Sequence, residues 1–183
     1  MDVIKIKDNM INILSSIKGD TFLNYECAFE EKWNRTYGYL RITTNNKSID
    51  ISNQQNSLSM FNEIEDVSCL EIFVNSNKTL KDTFHLVDDY SSNKYDINEI
   101  INKIYVISET VEKNSETTEF DMGFIIETDK HKYCFTKENW FDEFIYINVD
   151  KEYDDIYPVE KDIKDWSSDE TDEIKIARFI KEI

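Results

Sequence analysis

Apolar positions recur at helical spacing through residues 2–18, where Val3, Ile6, Met10, Ile13, Leu14 and Ile17 fall on one face before Gly19. That spacing predicts one amphipathic helix, with residues 3–7 also able to form a short strand. Residues 21–30 then carry Phe22, Tyr25, Cys27 and Phe29 in a β-forming run. Residues 37–44 and 48–52 predict two strands joined by a tight turn at Asn45-Asn46. The polar run 53–59 reads as a loop, and the nearly continuous apolar run 69–74 as a central strand. The pattern fades over residues 75–94, which predicts a connection. Asp96-Ile97-Asn98-Glu99 has the form of a capping box, predicting a short helix with Ile97, Ile100, Ile101 and Ile104. Strand patterns follow at 105–112, 120–128, 132–136 and 144–149. Pro158 suits the first turn of a helix with Val159, Ile163 and Trp166, and a last helix is expected over 172–182.

These elements predict an α+β fold of antiparallel sheet with flanking helices. They fall into two αββββ halves, residues 1–90 and 91–183, packed as one unit. Gly38-Tyr39-Leu40-Arg41-Ile42-Thr43 with Lys47 resembles Gly123-Phe124-Ile125-Ile126-Glu127-Thr128 with Lys132, at one shared Gly-to-Lys spacing. Hairpins of similar composition also match this way by chance, so duplication is one of two readings.

Composition narrows the function. Hydrophobic residues are 40% of 183, with 11 Phe and 10 Tyr, enough for a core despite 32% charged residues. Three isolated glycines cannot build a phosphate-cradling loop, and turns must come from Asn, Asp and Ser. The start has no signal-like apolar run and no stretch reaches membrane-span length. Cys27, Cys69 and Cys134 are odd in number with apolar neighbours, so they are expected reduced, in a cytoplasmic protein. The net charge of −17 opposes binding to nucleic acid or anionic membrane and suits a basic protein partner. Plain solubility is the alternative meaning of that charge.

Chemistry is sparse. His85 and His131 are the only histidines. On a strand His85 and Asp88 would face opposite sides, and no second cluster completes a zinc site with His131 and Cys134. No catalytic residue, cofactor, metal site or enzyme activity is expected. Residues 138–173 hold 14 Asp or Glu against 3 Lys, interspersed with Trp140, Phe141, Tyr153, Tyr157 and Trp166. Carboxylates can steer a cationic partner while aromatics anchor it. The expected partner-binding residues are Asp150, Glu152, Tyr153, Asp154, Asp155 and Tyr157. Trp140 and Trp166 are assigned to the core.

The runs Ile104-Tyr105-Val106-Ile107, Asp121-Met122-Gly123-Phe124-Ile125-Ile126, Tyr133-Cys134-Phe135 and Trp140-Phe141-Asp142-Glu143-Phe144-Ile145-Tyr146-Ile147 carry a resemblance. Over residues 96–166 they are similar to the strand series of immunity proteins from bacterial polymorphic toxin and contact-dependent inhibition systems. The resemblance implies an acidic cytoplasmic inhibitor of a basic toxin, often a nuclease. Two alternatives remain: a phage-encoded nucleic-acid mimic, and a small-ligand module or enzyme with an aromatic pocket.

Overall fold

The computed structural model describes residues 2–61, 63–75, 77–137, 139–166 and 173–183. Its strands are β1 (Asp2–Ile4), β2 (Thr21–Cys27), β3 (Phe29–Glu30), β4 (Arg35–Tyr37), β5 (Tyr39–Thr44), β6 (Ser48–Met60), β7 (Glu63–Val74), β8 (Asn93–Lys113), β9 (Glu116–Thr128), β10 (Lys132–Thr136), β11 (Phe144–Val149) and β12 (Ile174–Glu182). The helices are α1 (Asp8–Ser15), α2 (Leu80–Phe84), α3 (Tyr153–Ile156) and α4 (Val159–Trp166). The sheet runs β3-β4-β11-β10-β9-β8-β2-β5-β6-β7, with β1 parallel to β9 and β12 antiparallel to β8. The fold is therefore mostly antiparallel sheet with a few short helices.

The sheet curls. Phe22 and Tyr25 on β2 meet Tyr133 and Phe135 on β10 at 5.3 and 6.2 Å between ring centroids. Three strand spacings of a flat sheet would hold them about 14 Å apart. Gly38 completes the curl: β4 and β5 are one run bent there, yet β4 pairs with β11 and β5 with β6. Its φ of +64° suits glycine. Its N–H donates to Glu143 O at 3.0 Å, and its carbonyl accepts from Asn53 N at 2.8 Å.

Inside the curl lie Phe22, Leu40, Ile42, Ile49, Phe124, Phe135 and Ile147, joined by Met10, Leu14 and Ile17 from α1 and the turn after it. A second apolar cluster covers the other face, with Ile107, Val111, Met122, Ile125 and Cys134 from the sheet. Met60 and Val67 at the far end of the β6–β7 hairpin, and Tyr153 and Tyr157, close over it. Both faces of β9 are thus buried, which explains its continuous apolar run.

Several expectations need correction. Residues 96–104 belong to β8, not to a helix. A register shift between Ile101 and Lys103 sets Ile101 and Ile104 three apart, although both point into the core, and so mimics helical spacing. Glu99 accepts from Thr128 Oγ1 at 2.6 Å and Tyr133 OH at 3.2 Å instead of capping a helix. The expected final helix is strand β12, whose alternating Ile174 and Ile176 pack on the second cluster. Its first residue, Asp172, lies outside the described residues. The run 53–59 is strand, because β7 satisfies its backbone as far as Met60. The run 69–74 ends the strand order instead of lying at its centre. The first segment follows the alternative with a short strand, β1 at Asp2–Ile4 and then α1, instead of one helix over residues 2–18.

The strand order holds two four-strand runs, β2-β5-β6-β7 and β8-β9-β10-β11, which meet where β2 pairs antiparallel with β8. β2 shifts register against β5 between Phe22 and Asn24, and β8 shifts against β9 at the equivalent place between Ile101 and Lys103. β8 has a further shift between Ile107 and Ser108 that β2 and β5 lack. Each second strand ends in the same turn. Thr44 N donates to Lys47 O and Thr128 N to His131 O, both at 2.8 Å. Asn45 Oδ1 accepts from Thr21 N and Asp129 Oδ1 from Ile100 N, again both at 2.8 Å. This pairing equates Lys47 with His131, not Lys132, so the Gly38–Gly123 match is coincidental. Gly38 makes the bend, whereas Gly123 admits the β10 backbone, as a Cβ there would lie 2.2 Å from Phe135 O.

Candidate partner-binding surface

Three of the four expected steering carboxylates are engaged with cations of their own chain. Asp150 accepts from Lys132 N at 2.9 Å and meets His131 Nδ1 at 2.6 Å. The backbone N–H of Lys132, and after it His131, hold the Asp150 carboxyl below its usual range, while Asp150 raises the imidazole. Glu152 pairs with Lys132 at 2.6 Å, and Asp154 with Arg178 at 2.6 Å. Asp155 remains on the rim of a groove, described below.

Tyr153 and Tyr157 do not serve as surface anchors. They are 0% and 4% exposed. Residues four apart on the turn of α3 share one face, so both rings turn inward while Asp154 and Asp155 turn to solvent. The Arg178 guanidinium lies 4.4 Å over the Tyr153 ring, and Tyr157 packs edge-on to Tyr146 at 5.9 Å. Trp140 packs partly buried against the second cluster, as assigned. The side chain of Trp166 lies outside the described residues.

An aromatic strip on the outer face of β4 and β11 is the more accessible feature. Tyr37 stands opposite Phe144, and Arg35 opposite Tyr146. The Tyr37 and Phe144 rings meet edge-on at 5.3 Å, and the Arg35 guanidinium sits 3.5 Å over Phe144. Trp33, in the short 3-10 turn before β4, lies 5.7 Å from that guanidinium and under Lys32 at 4.7 Å. Tyr37 OH donates to Glu143, whose carboxylate pushes the phenol up to about 12. At the far end of the strip a groove of about 410 Å³ opens between Trp33, Tyr146 and Tyr157, with Lys151, Asp155 and Lys161 around it.

Sequence reasoning reached this surface only through Asp155, Tyr157 and the run Phe141-Asp142-Glu143-Phe144. It missed Trp33, Arg35 and Tyr37. The available signal was aromatics set in the polar stretch Glu30-Glu31-Lys32-Trp33-Asn34-Arg35, where no apolar period buries them. Elsewhere His85 is exposed at the left-handed end of α2. Among the described residues no three His, Cys, Asp or Glu side chains converge as metal ligands. All three cysteines are free, and burial pushes the Cys27 and Cys134 thiols up to about 12. No described helix is long and apolar enough to cross a membrane.

Lys137 is a buried cation the sequence did not announce. It is 0% exposed, with Nζ donating to Ser68 O at 2.7 Å. Burial drives its pKa from 10.5 down to about 8. Between those values the unfolded chain binds more protons, so this group makes stability rise with pH. Its penalty is therefore full below about 8 and gone above 10.5. Lys137→Met should raise the unfolding free energy at neutral pH by roughly 1–3 kcal/mol, the desolvation relieved less one hydrogen bond. Urea melts across this pH range should show the variant's advantage closing, and a constant offset would contradict the assignment.

No family model matches the chain, and no curated protein or solved structure is significantly similar to it.

Proposed function

We propose that the chain is an acidic binding protein that neutralises a basic protein target, as an immunity protein blocks its cognate bacterial toxin. The observation that carries this reading is the surplus of carboxylates, 38 Asp and Glu against 21 Lys and Arg. Several of those cations are already held by the chain's own acids, among them Arg35, Arg41, Lys132 and Arg178. The field left over favours association with a cationic surface and opposes nucleic acid. The test is capture from an extract of the host cell, followed by association kinetics with the captured protein over a salt series. A basic partner whose association rate falls about tenfold to a thousandfold with salt is expected. An acidic partner, or a rate indifferent to salt, would overturn the reading.

We also infer that the two four-strand runs are copies of one ancestral four-stranded unit. The shared register shift, the matching turn bonds and the pairing of the two first strands support it. Replacing the first turn by the second, as Asn45→Asp, Asn46→Lys and Lys47→His together, should leave the fold intact. The expected change in stability is within about 1 kcal/mol. Loss of the folded state would show that the two corners are not equivalent.

A further inference from the structure

Trp33 and Tyr37 on the strip are 55% and 52% exposed, and Phe141, just before β11, is 46% exposed with its ring edge-on to Trp140. Asn53 Nδ2 donates to Asp142 O at 2.7 Å and Phe144 O at 3.1 Å, and Gln55 Nε2 to Phe141 O at 2.7 Å. Asn53 is itself fully buried, so these bonds fix the backbone of residues 141–144, and the Gly38 N–H donating to Glu143 O at 3.0 Å ties the chain beside Tyr37 to them. Large rings displayed on a fixed backbone lose little conformational freedom on binding, and Trp and Tyr are the residues that most often carry interface energy.

We propose that this strip is the contact surface for the basic partner, and that arginine side chains of that partner dock on its rings. The inference rests on the reading of a basic target given above and adds the surface and the mode of contact. The chain's own cations show the chemistry. Arg35 lies over Phe144 at 3.5 Å and Lys32 over Trp33 at 4.7 Å, so the ring faces here hold guanidinium and ammonium groups. Arg35 is already neutralised by Glu30 at 2.9 Å and adds little repulsion. Glu31 is exposed beside Trp33, and Glu143 holds the Tyr37 hydroxyl. A docking cation therefore meets ring and carboxylate together. Arginine should gain more than lysine, because its flat guanidinium stacks and is more weakly hydrated.

Oligoarginine and oligolysine peptides of equal length, titrated calorimetrically at physiological salt, provide the test. The arginine peptide should bind roughly tenfold more tightly, each ring contributing about two- to fivefold. In Trp33→Ala/Tyr37→Ala/Phe141→Ala affinity for the lysine peptide should fall by less than that for the arginine peptide, so that the preference vanishes. Trp33→Phe alone, which keeps a ring, should retain most of it, and thermal melts of each variant verify folding. A preference that survives removal of the three rings, or equal affinity for both peptides in the unmodified protein, overturns the strip as contact surface. It leaves the basic partner standing. Failure of both peptides to bind sinks the basic-partner reading itself.

Discussion

Gly123→Ala abolishes the fold or costs it roughly 3–5 kcal/mol or more, the largest effect expected from any single methyl group in this chain. The added Cβ would lie 2.2 Å from Phe135 O and 2.7 Å from Thr136 Cα. Both atoms are backbone of β10, so no side chain can rotate away. Neither strand can retreat, because β9 is hydrogen-bonded to β8 on its other side and β10 to β11. The Phe124 and Phe135 rings next to this point are stacked at 5.2 Å in the inner core, and separating the strands would open that contact. Gly38→Ala is the control. A Cβ there meets Asn53 O at 3.4 Å, and the main penalty is the positive φ, about 1–2 kcal/mol. Urea denaturation of both variants checks the ranking. Equal small losses would mean that β9 and β10 do not approach this closely at Gly123.

The same close approach shows why some of the fold is legible in the amino-acid sequence and some is not. Strands β10, β11 and the β5–β6 hairpin were readable because their apolar residues form short β-length runs, unbroken in β10 and β11 and alternating at the start of β6. The turns after β5 and β9 are also marked by Asn or Asp. At Asn102 a single extra residue breaks the alternation, and the 3–4 spacing it leaves looks helical. No local rule separates that from a real helix, since the bulge is required by pairing with β9. The polar half of β6 was illegible for a related reason: backbone pairing with β7, not apolar side chains, makes it strand. At the surface, charge density located the neighbourhood of Asp155 but could not say which acids were already paired. Lys132, His131 and Arg178 reach Glu152, Asp150 and Asp154 only through the tertiary fold. Tyr153 and Tyr157 were misassigned because four-residue spacing shows that two rings share a face, but not whether that face is covered.

Arg178→Ala is expected to cost about 3–5 kcal/mol, because it strands a buried carboxylate. Glu109 is 2% exposed and accepts from Arg178 at 2.7 and 2.5 Å. The same guanidinium donates to Tyr157 O and Asp154 Oδ1, both at 2.6 Å, and covers the Tyr153 ring. One side chain of β12 therefore fastens α3 to the sheet. Its loss should release α3 locally before the whole protein unfolds, seen as faster amide exchange at residues 153–157 than in the unmodified chain. Arg178→Lys keeps the charge but cannot span Glu109, Asp154 and Tyr157 O at once, so it should fall between the two. The decisive comparison is Arg178→Met with Glu109→Leu. If the penalty comes from an uncompensated charge, replacing both partners by apolar groups should recover most of the stability, and can exceed it. A double variant no more stable than Arg178→Ala would place the effect in the lost contacts to α3 instead. The amide exchange of residues 153–157 would then stay fast in the double variant as well.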